Sequence, residues 1–158
     1  MLFADPATLK IPSKADALPG RDERISPPNT HYVHGQPIAP PFPNQMAQAF
    51  FGMGCFWGAE RKFWQQEGIY TTAVGYAGGV TRNATYQEVC SGETGHAEVI
   101  QIEFQPDRIS YEELLEIFWQ AHDPTTINRQ GADVGTQYRS IIFAYNNHQK
   151  IIADSSKI

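Results

Sequence analysis

Cysteine is nearly absent from this chain, with two in 158 residues. Two thiols cannot build the disulfide framework of a small secreted domain, and they complete a zinc site only if histidines join them. Positive charge is also in deficit: 12 Lys and Arg stand against 17 Asp and Glu, a formal charge of -5. That balance argues against a generic nucleic-acid binder and against a polybasic membrane-surface protein. Long apolar runs are missing as well. The longest, residues 47–59, is interrupted by Gln48 and falls short of the ~17 residues that span a bilayer. The opening decapeptide MLFADPATLK lacks a basic stretch followed by an apolar one, so no signal peptide is read there. The expectation is a soluble, cytoplasmic monomer that binds neither nucleic acid nor membrane.

What is present divides near residue 46. Nine of the 11 prolines precede it, including Pro27-Pro28 and Pro40-Pro41-Phe42-Pro43. Proline fixes φ and removes an amide donor, so residues 1–46 cannot run as a long helix or a central strand. They read as an extended arm that either wraps over a domain or stays mobile. Residues 47–158 read as the domain itself, and 158 residues with 41% hydrophobic content allow one packed core.

Within that domain, Ala49 to Met53 reads as a short buried strand and Phe56 to Gln65 as a helix ending before Gly68. Tyr70 to Tyr76 is strand-like, and Tyr86 to Cys90 a short helix. Residues 96–104 alternate, with Val99, Gln101 and Glu103 on one face and Glu98, Ile100, Ile102 and Phe104 on the other. Glu98 is the one polar residue on a mostly apolar face. Ser110-Tyr-Glu-Glu113 has the form of a capping box and opens a helix with Leu114, Leu115, Phe118 and Trp119 on its buried stripe. Tyr138 to Tyr145 reads as a strand, with Asn147 capping a last helix. The order strand, helix, strand, strand, helix, strand predicts an α+β fold: a ferredoxin-like split βαβ sandwich with a mixed sheet and helices packed on it.

One segment stands out chemically. Gly54-Cys55-Phe56-Trp57-Gly58 falls where a strand turns into a helix. First-turn amides point outward there and favour negative charge, which suits a thiolate. Spacing alone would still favour an inert core cysteine, the commoner fate of a free thiol.

The wording of the segment weighs against the inert reading. Gly54-Cys55-Phe56-Trp57-Gly58-Ala59-Glu60 closely resembles the signature of the peptide methionine sulfoxide reductases of the A type. Further matches follow in order: Gly75-Tyr76-Ala77-Gly78-Gly79, residues 86–92 (YQEVCSG), Thr94-Gly95-His96-Ala97-Glu98, His122-Asp123-Pro124, and residues 135–140 (GTQYRS). The arm's Ala15-Asp16-Ala17-Leu18-Pro19-Gly20-Arg21 is similar to that of the longer bacterial members. Enzymes of this kind return one epimer of methionine sulfoxide to methionine.

The resemblance implies roles. Cys55 would attack the sulfoxide sulfur and become a sulfenic acid. Glu98 would protonate the departing oxygen, and its place on an apolar face, where charge is costly, suits an acid kept protonated. Tyr86 and Tyr138 would donate to the sulfoxide oxygen, Asp133 would help organise the site, and Phe56 and Trp57 would cage the S-methyl group. No metal or cofactor is implied. The reductant would be an external thiol, thioredoxin in the cell or dithiothreitol in vitro, and the substrate oxidised proteins or peptides. Members of the family run beyond Ile158 and carry resolving cysteines there. Cys90 is expected to be a buried structural residue, His96 structural, and Glu60 an ordinary helix-surface acid.

Three other readings remain open. A thiol peroxidase or hydrolase is one, and a hydrolase needs a histidine beside Cys55, with His96 the nearest in sequence. A non-enzymatic binding module is another. The third, a metal site at His31-x-x-His34, has no other ligands nearby in sequence.

Overall fold

The computed structural model describes Asp5 and residues 9–157. Strand β1 (Ala47–Met53) leads to helix α1 (Phe56–Trp64), strand β2 (Ile69–Ala77), helix α2 (Tyr86–Cys90) and strand β3 (Ala97–Phe104). Helix α3 (Tyr111–Ala121), the two-residue strands β4 (Arg129–Gln130) and β5 (Asp133–Val134), strand β6 (Ser140–Phe143) and helix α4 (Asn147–Ser155) complete it. The sheet order is β2-β3-β1-β6, and each hydrogen-bonded pair in it is antiparallel. β1 and β2 therefore run parallel but never touch, because β3 is inserted between them. That is the split βαβ arrangement, and the α+β class holds.

Chain direction fixes where chemistry can gather. β1 and β2 finish at the end of the sheet where β3 starts, so Cys55, Tyr76 and Glu98 arrive at one edge. The register agrees: Tyr76 lies opposite Glu98 on β3, and Phe51 opposite Ile100.

α1 and α3 cover one face. Ala49, Phe51 and Met53 from β1 and Ile100, Ile102 and Phe104 from β3 meet Phe63 of α1 and Leu114, Leu115 and Phe118 of α3. Phe51 is at the centre, its ring 5.2 Å from Phe118 and 5.7 Å from Phe63. The predicted capping box is formed: Ser110 Oγ accepts the Glu113 N–H at 3.1 Å, and the Glu113 carboxylate accepts the Ser110 N–H at 2.7 Å. A second box, Thr85 with Glu88, closes the start of α2. Trp119 is only partly buried and donates its indole N–H to Ser156 Oγ at 2.8 Å.

Several expectations change. The strand read over Tyr138 to Tyr145 is shorter, because Thr136–Tyr138 forms a 3-10 turn and the strand begins at Ser140. Asn146, not Asn147, caps α4, its Oδ1 accepting the Gln149 N–H at 2.9 Å. The face of β3 bearing Glu103 is buried too. Glu103 there accepts from Gln48 Nε2 at 2.6 Å and Gln101 Nε2 at 2.9 Å, so it is a satisfied structural acid.

Among the described residues before Ala47 there is no helix or strand, as the prolines require. This segment lies against the domain: Leu18 N–H donates to Glu93 O at 2.9 Å, and Thr72 Oγ1 is 2.9 Å from His31 Nε2. Glu60 is not a plain surface acid. It accepts from Thr72 Oγ1 at 2.7 Å, completing a buried His31–Thr72–Glu60 chain under the arm. Both His31 nitrogens are thereby engaged, since Nδ1 accepts the Val33 and His34 N–H groups at 3.1 Å, leaving no lone pair for a metal.

Phe51→Ala should cost about 3–5 kcal/mol, the range for removing a buried aromatic from a packed core. Urea unfolding of the two proteins under identical buffer checks it, with the slope of the transition unchanged.

Candidate active site

Cys55 is the N-cap residue of α1 and is exposed. It reaches that position through Gly54, whose φ of +86° lies in the left-handed region that favours glycine. A Cβ on Gly54 would come within 2.6 Å of Gln130 Cβ. Gln130 is itself pinned, accepting the Asp123 N–H and donating to Asp123 O, each at 2.9 Å. The His-Asp-Pro segment thus buttresses the turn that presents the thiol.

Glu98 is 2% exposed and has one hydrogen bond from protein among the described residues: its Oε2 accepts the Phe56 N–H at 3.0 Å. Burial drives its pKa up, the Phe56 N–H pulls the other way, and the charge of nearby Asp133 adds to the rise. A carboxyl in this setting holds its proton to higher pH than an ordinary glutamate.

Three tyrosines surround it. The Tyr138 hydroxyl is pushed up to about 12 by burial, with Glu98, Cys90, Asp133 and Tyr86 contributing. Tyr76 is likewise pushed up to about 12 by burial and by Glu98, Cys90 and Tyr86. Tyr86 is half exposed at the start of α2, and its pKa rises chiefly through a hydrogen bond with Cys90. These phenols stay protonated across the physiological range and can donate without titrating. Phe56 is buried with its ring 5.8 Å from Tyr76, forming one wall. Trp57 is 74% exposed, so its side of the site opens to solvent. Asp133 lies on β5, exposed.

Arg139 connects two of these segments. Its half-buried guanidinium donates to Thr136 O at 2.8 Å and to Gly95 O at 2.9 Å, tying the turn that carries Tyr138 to the start of β3 that carries Glu98.

Cys90 is not buried. It is exposed at the end of α2, one helical turn from Tyr86, and it belongs to the polar rim of the site. Sequence reading gave no role to Tyr76 either. Pairing β2 with β3 in register would have placed it opposite Glu98, but that pairing is not visible in one strand alone. His96 is structural as expected: Nδ1 accepts the Gly79 N–H at 3.0 Å and Nε2 donates to Thr81 O at 2.8 Å. His122 is engaged through both nitrogens, with Phe118 O at 2.7 Å and Ser140 Oγ at 2.8 Å. Neither is free to act as a base on Cys55, which removes the support for a Cys–His hydrolase. Among the described residues no cluster of His, Cys, Asp and Glu is placed to hold a metal ion, and no helix is long and apolar enough to cross a membrane.

An exposed thiol at a helix start, a buried acid whose pKa is raised and phenols around that acid are the groups a thiol-dependent oxidoreductase needs. Residues 47–158 match the family model described as peptide methionine sulfoxide reductase, and the chain belongs to that family. It is 58% identical to peptide methionine sulfoxide reductase MsrA of Rippkaea orientalis, over 99% of this chain and 72% of that protein. It is 57% identical to MsrA of Azotobacter vinelandii, over 94% of this chain and 69% of that one. In structure it resembles methionine sulfoxide reductase A of Corynebacterium diphtheriae, with a TM-score of 0.84 and 36% identity, over 92% of this chain and 71% of that one. Mxr1 of Saccharomyces cerevisiae in complex with Trx2 is a more distant likeness, with a TM-score of 0.53 and 26% identity, over 73% of this chain and 66% of that one. The protein is a methionine sulfoxide reductase.

The raised pKa of Glu98 also makes a stability prediction. A carboxyl that binds its proton more tightly folded than unfolded costs stability as pH rises from the ordinary glutamate value through the folded one. Glu98→Gln, uncharged and able to accept the same Phe56 N–H, should therefore be more stable than wild type at pH 8. The two should converge near pH 4. Thermal unfolding across that range gives the difference directly.

Proposed function

We propose that the chain reduces methionine S-sulfoxide, in proteins, peptides or free, with Cys55 as nucleophile and Glu98 as general acid. The single observation that carries this reading is the exposed Cys55 at the start of α1, one residue from the Phe56 N–H that holds the buried Glu98 carboxyl. The nucleophile and the proton are thereby delivered from adjoining points of one turn.

The Cys55 thiolate attacks sulfur while the Glu98 proton moves to oxygen. Tyr86 and Tyr138 donate to that oxygen as charge grows on it, the kind of electrostatic help that counts most in a sheltered site. Asp133 acts at second hand, by keeping Glu98 protonated. The protonated oxygen passes from the methionine sulfur to the Cys55 sulfur as the bond between the two sulfurs breaks, so methionine leaves as the thioether and Cys55 is left as sulfenic acid. A thiolate from outside then attacks Cys55 sulfur and expels the oxygen as water. A second thiol then releases Cys55, and the reductant ends as a disulfide. Thioredoxin fits this part, supported by the Trx2 complex of Mxr1, and dithiothreitol replaces it in vitro. Phe56 and Trp57 seat the S-methyl group, and donors on one side of the sulfur favour the S epimer. The domain from residue 47 onward carries the chemistry, and the described residues before Ala47 form an arm upon it. The protein works as a monomer in a reducing compartment such as the cytoplasm, in keeping with its two free, exposed thiols.

Cys55→Ser should abolish turnover of methionine S-sulfoxide with dithiothreitol, because a hydroxyl is far less ionised than a thiol at neutral pH. Cys90→Ser should leave the first turnover intact. A folded Cys90→Ser protein without single-turnover activity would reassign the nucleophile.

Glu98→Gln should lower kcat by about 10²–10⁴-fold, the usual worth of general acid catalysis, with a smaller change in KM. Wild-type rate against pH should be bell-shaped, rising as the thiolate forms and falling as Glu98 loses its proton. The glutamine variant should lack the alkaline fall, and retention of that fall at an unchanged single-turnover rate would move the proton to another group.

A further inference from the structure

The arm carries a motif, residues 17–21 (ALPGR), that the chemistry above does not use. Its contacts converge on α2. That helix has five residues, too few to hold itself, since isolated helices below ~12 residues are marginal in water. Yet it carries Tyr86 at its first position and Cys90 at its last, so something outside the helix must fix it.

Leu18 reaches both ends of the segment around α2: its N–H donates to Glu93 O at 2.9 Å, and its carbonyl accepts from Thr81 Oγ1 at 2.7 Å. Gly20 then pairs with Arg82, so closely that a Cβ would stand 2.0 Å from Arg82 O. Arg21 follows. Its backbone N–H donates to Arg82 O at 3.0 Å, and Nη1 donates to Asn83 O at 2.9 Å. The guanidinium grips Glu88 with both arms, Nη2 to Oε1 at 2.8 Å and Nη1 to Oε2 at 3.1 Å. Asn83 Nδ2 returns a bond to Arg21 O at 2.9 Å. Glu88 is also the carboxylate of the Thr85 capping box, accepting the Thr85 N–H at 2.8 Å. One carboxylate therefore closes the start of α2 and receives the arm.

We infer that Arg21 is a positioning residue of the active site: through Glu88 and Asn83 it fixes the start of α2 and so sets where the Tyr86 hydroxyl stands. The inference rests on the reading of Tyr86 as a donor to the sulfoxide oxygen. A partly exposed ion pair alone contributes little to stability, and the Arg21 and Glu88 side chains are 37% and 23% exposed. The bidentate grip plus the bond to a backbone carbonyl instead specifies orientation. Misplacing a catalytic group by an ångström costs far more in rate than in stability.

The test is a double-mutant cycle on the whole chain, with methionine S-sulfoxide and dithiothreitol. Arg21→Ala should lower kcat by roughly tenfold with KM within about twofold, and Arg21→Lys, which cannot make the bidentate grip, should fall between. In a Tyr86→Phe background, where the hydroxyl to be positioned is gone, Arg21→Ala should cost less than about twofold. Amide exchange at Val89 and Ser91 should quicken in Arg21→Ala, while β3 amides keep their protection. An equal loss of kcat in both backgrounds would overturn the inference, as would wild-type kcat in a protein whose α2 amides have become labile. Tyr86→Phe alone at wild-type rate would strike down the Tyr86 assignment first and the inference with it, an outcome distinct from the other two.

Discussion

A carboxyl buried among apolar side chains holds its proton to higher pH than one in water, and the chemistry proposed for this site turns on one such group. Glu98 sits on the apolar face of the central strand β3, between the layers that bury the core, and receives a single N–H from the turn that presents Cys55. Glu103, five residues on and equally buried, shows the contrast. Two side-chain amides satisfy it, and it stays a structural acid. The same residue type on the same strand serves two ends because the donors around it differ. Burial raises the pKa of both carboxyls; Gln48 and Gln101 pull Glu103 back, whereas Glu98 has the Phe56 N–H to lower it and the charge of Asp133 to push it further up.

Around that carboxyl, backbone carbonyls and side-chain amides serve as the anchoring points. The guanidinium of Arg139 faces two carbonyl oxygens, and Gln130 props the Gly54 turn by side-chain amide bonds alone. Glycine serves the same end at Gly79, where a Cβ would lie 2.4 Å from Thr94 O. That close approach brings the β2 turn onto the loop before β3.

Much of this was legible in the residues. The turn at Gly54-Cys55, the alternation that singles out Glu98, and the Ser110 capping box all rest on patterns within a few neighbours. What escaped depends on contacts distant in sequence. Cys90 is expected to be buried from its place in the family pattern, and the structure exposes it at the end of α2. Tyr76 gains its place from the register of β2 on β3. Glu60 looks like a helix-surface acid until the arm folds over it and supplies His31. Tyr138 falls in a 3-10 turn instead of a strand, at a point where Arg139 holds Thr136 O and reaches across to Gly95 O before β3. Local propensity often gives way to tertiary context.

The sheet order has a consequence for how the molecule comes into being. β1, which delivers the thiol, pairs on one side with β3 and on the other with β6, near the far end of the chain. Such distant pairings are closed late, because the entropy of the intervening loop must be met before the contacts form. A ribosome-bound chain that has emerged only as far as α1 presents Cys55 without an acid, without phenols and without the Arg139 link. The acid and the phenols proposed to act with Cys55 therefore reach it only as these distant pairings close.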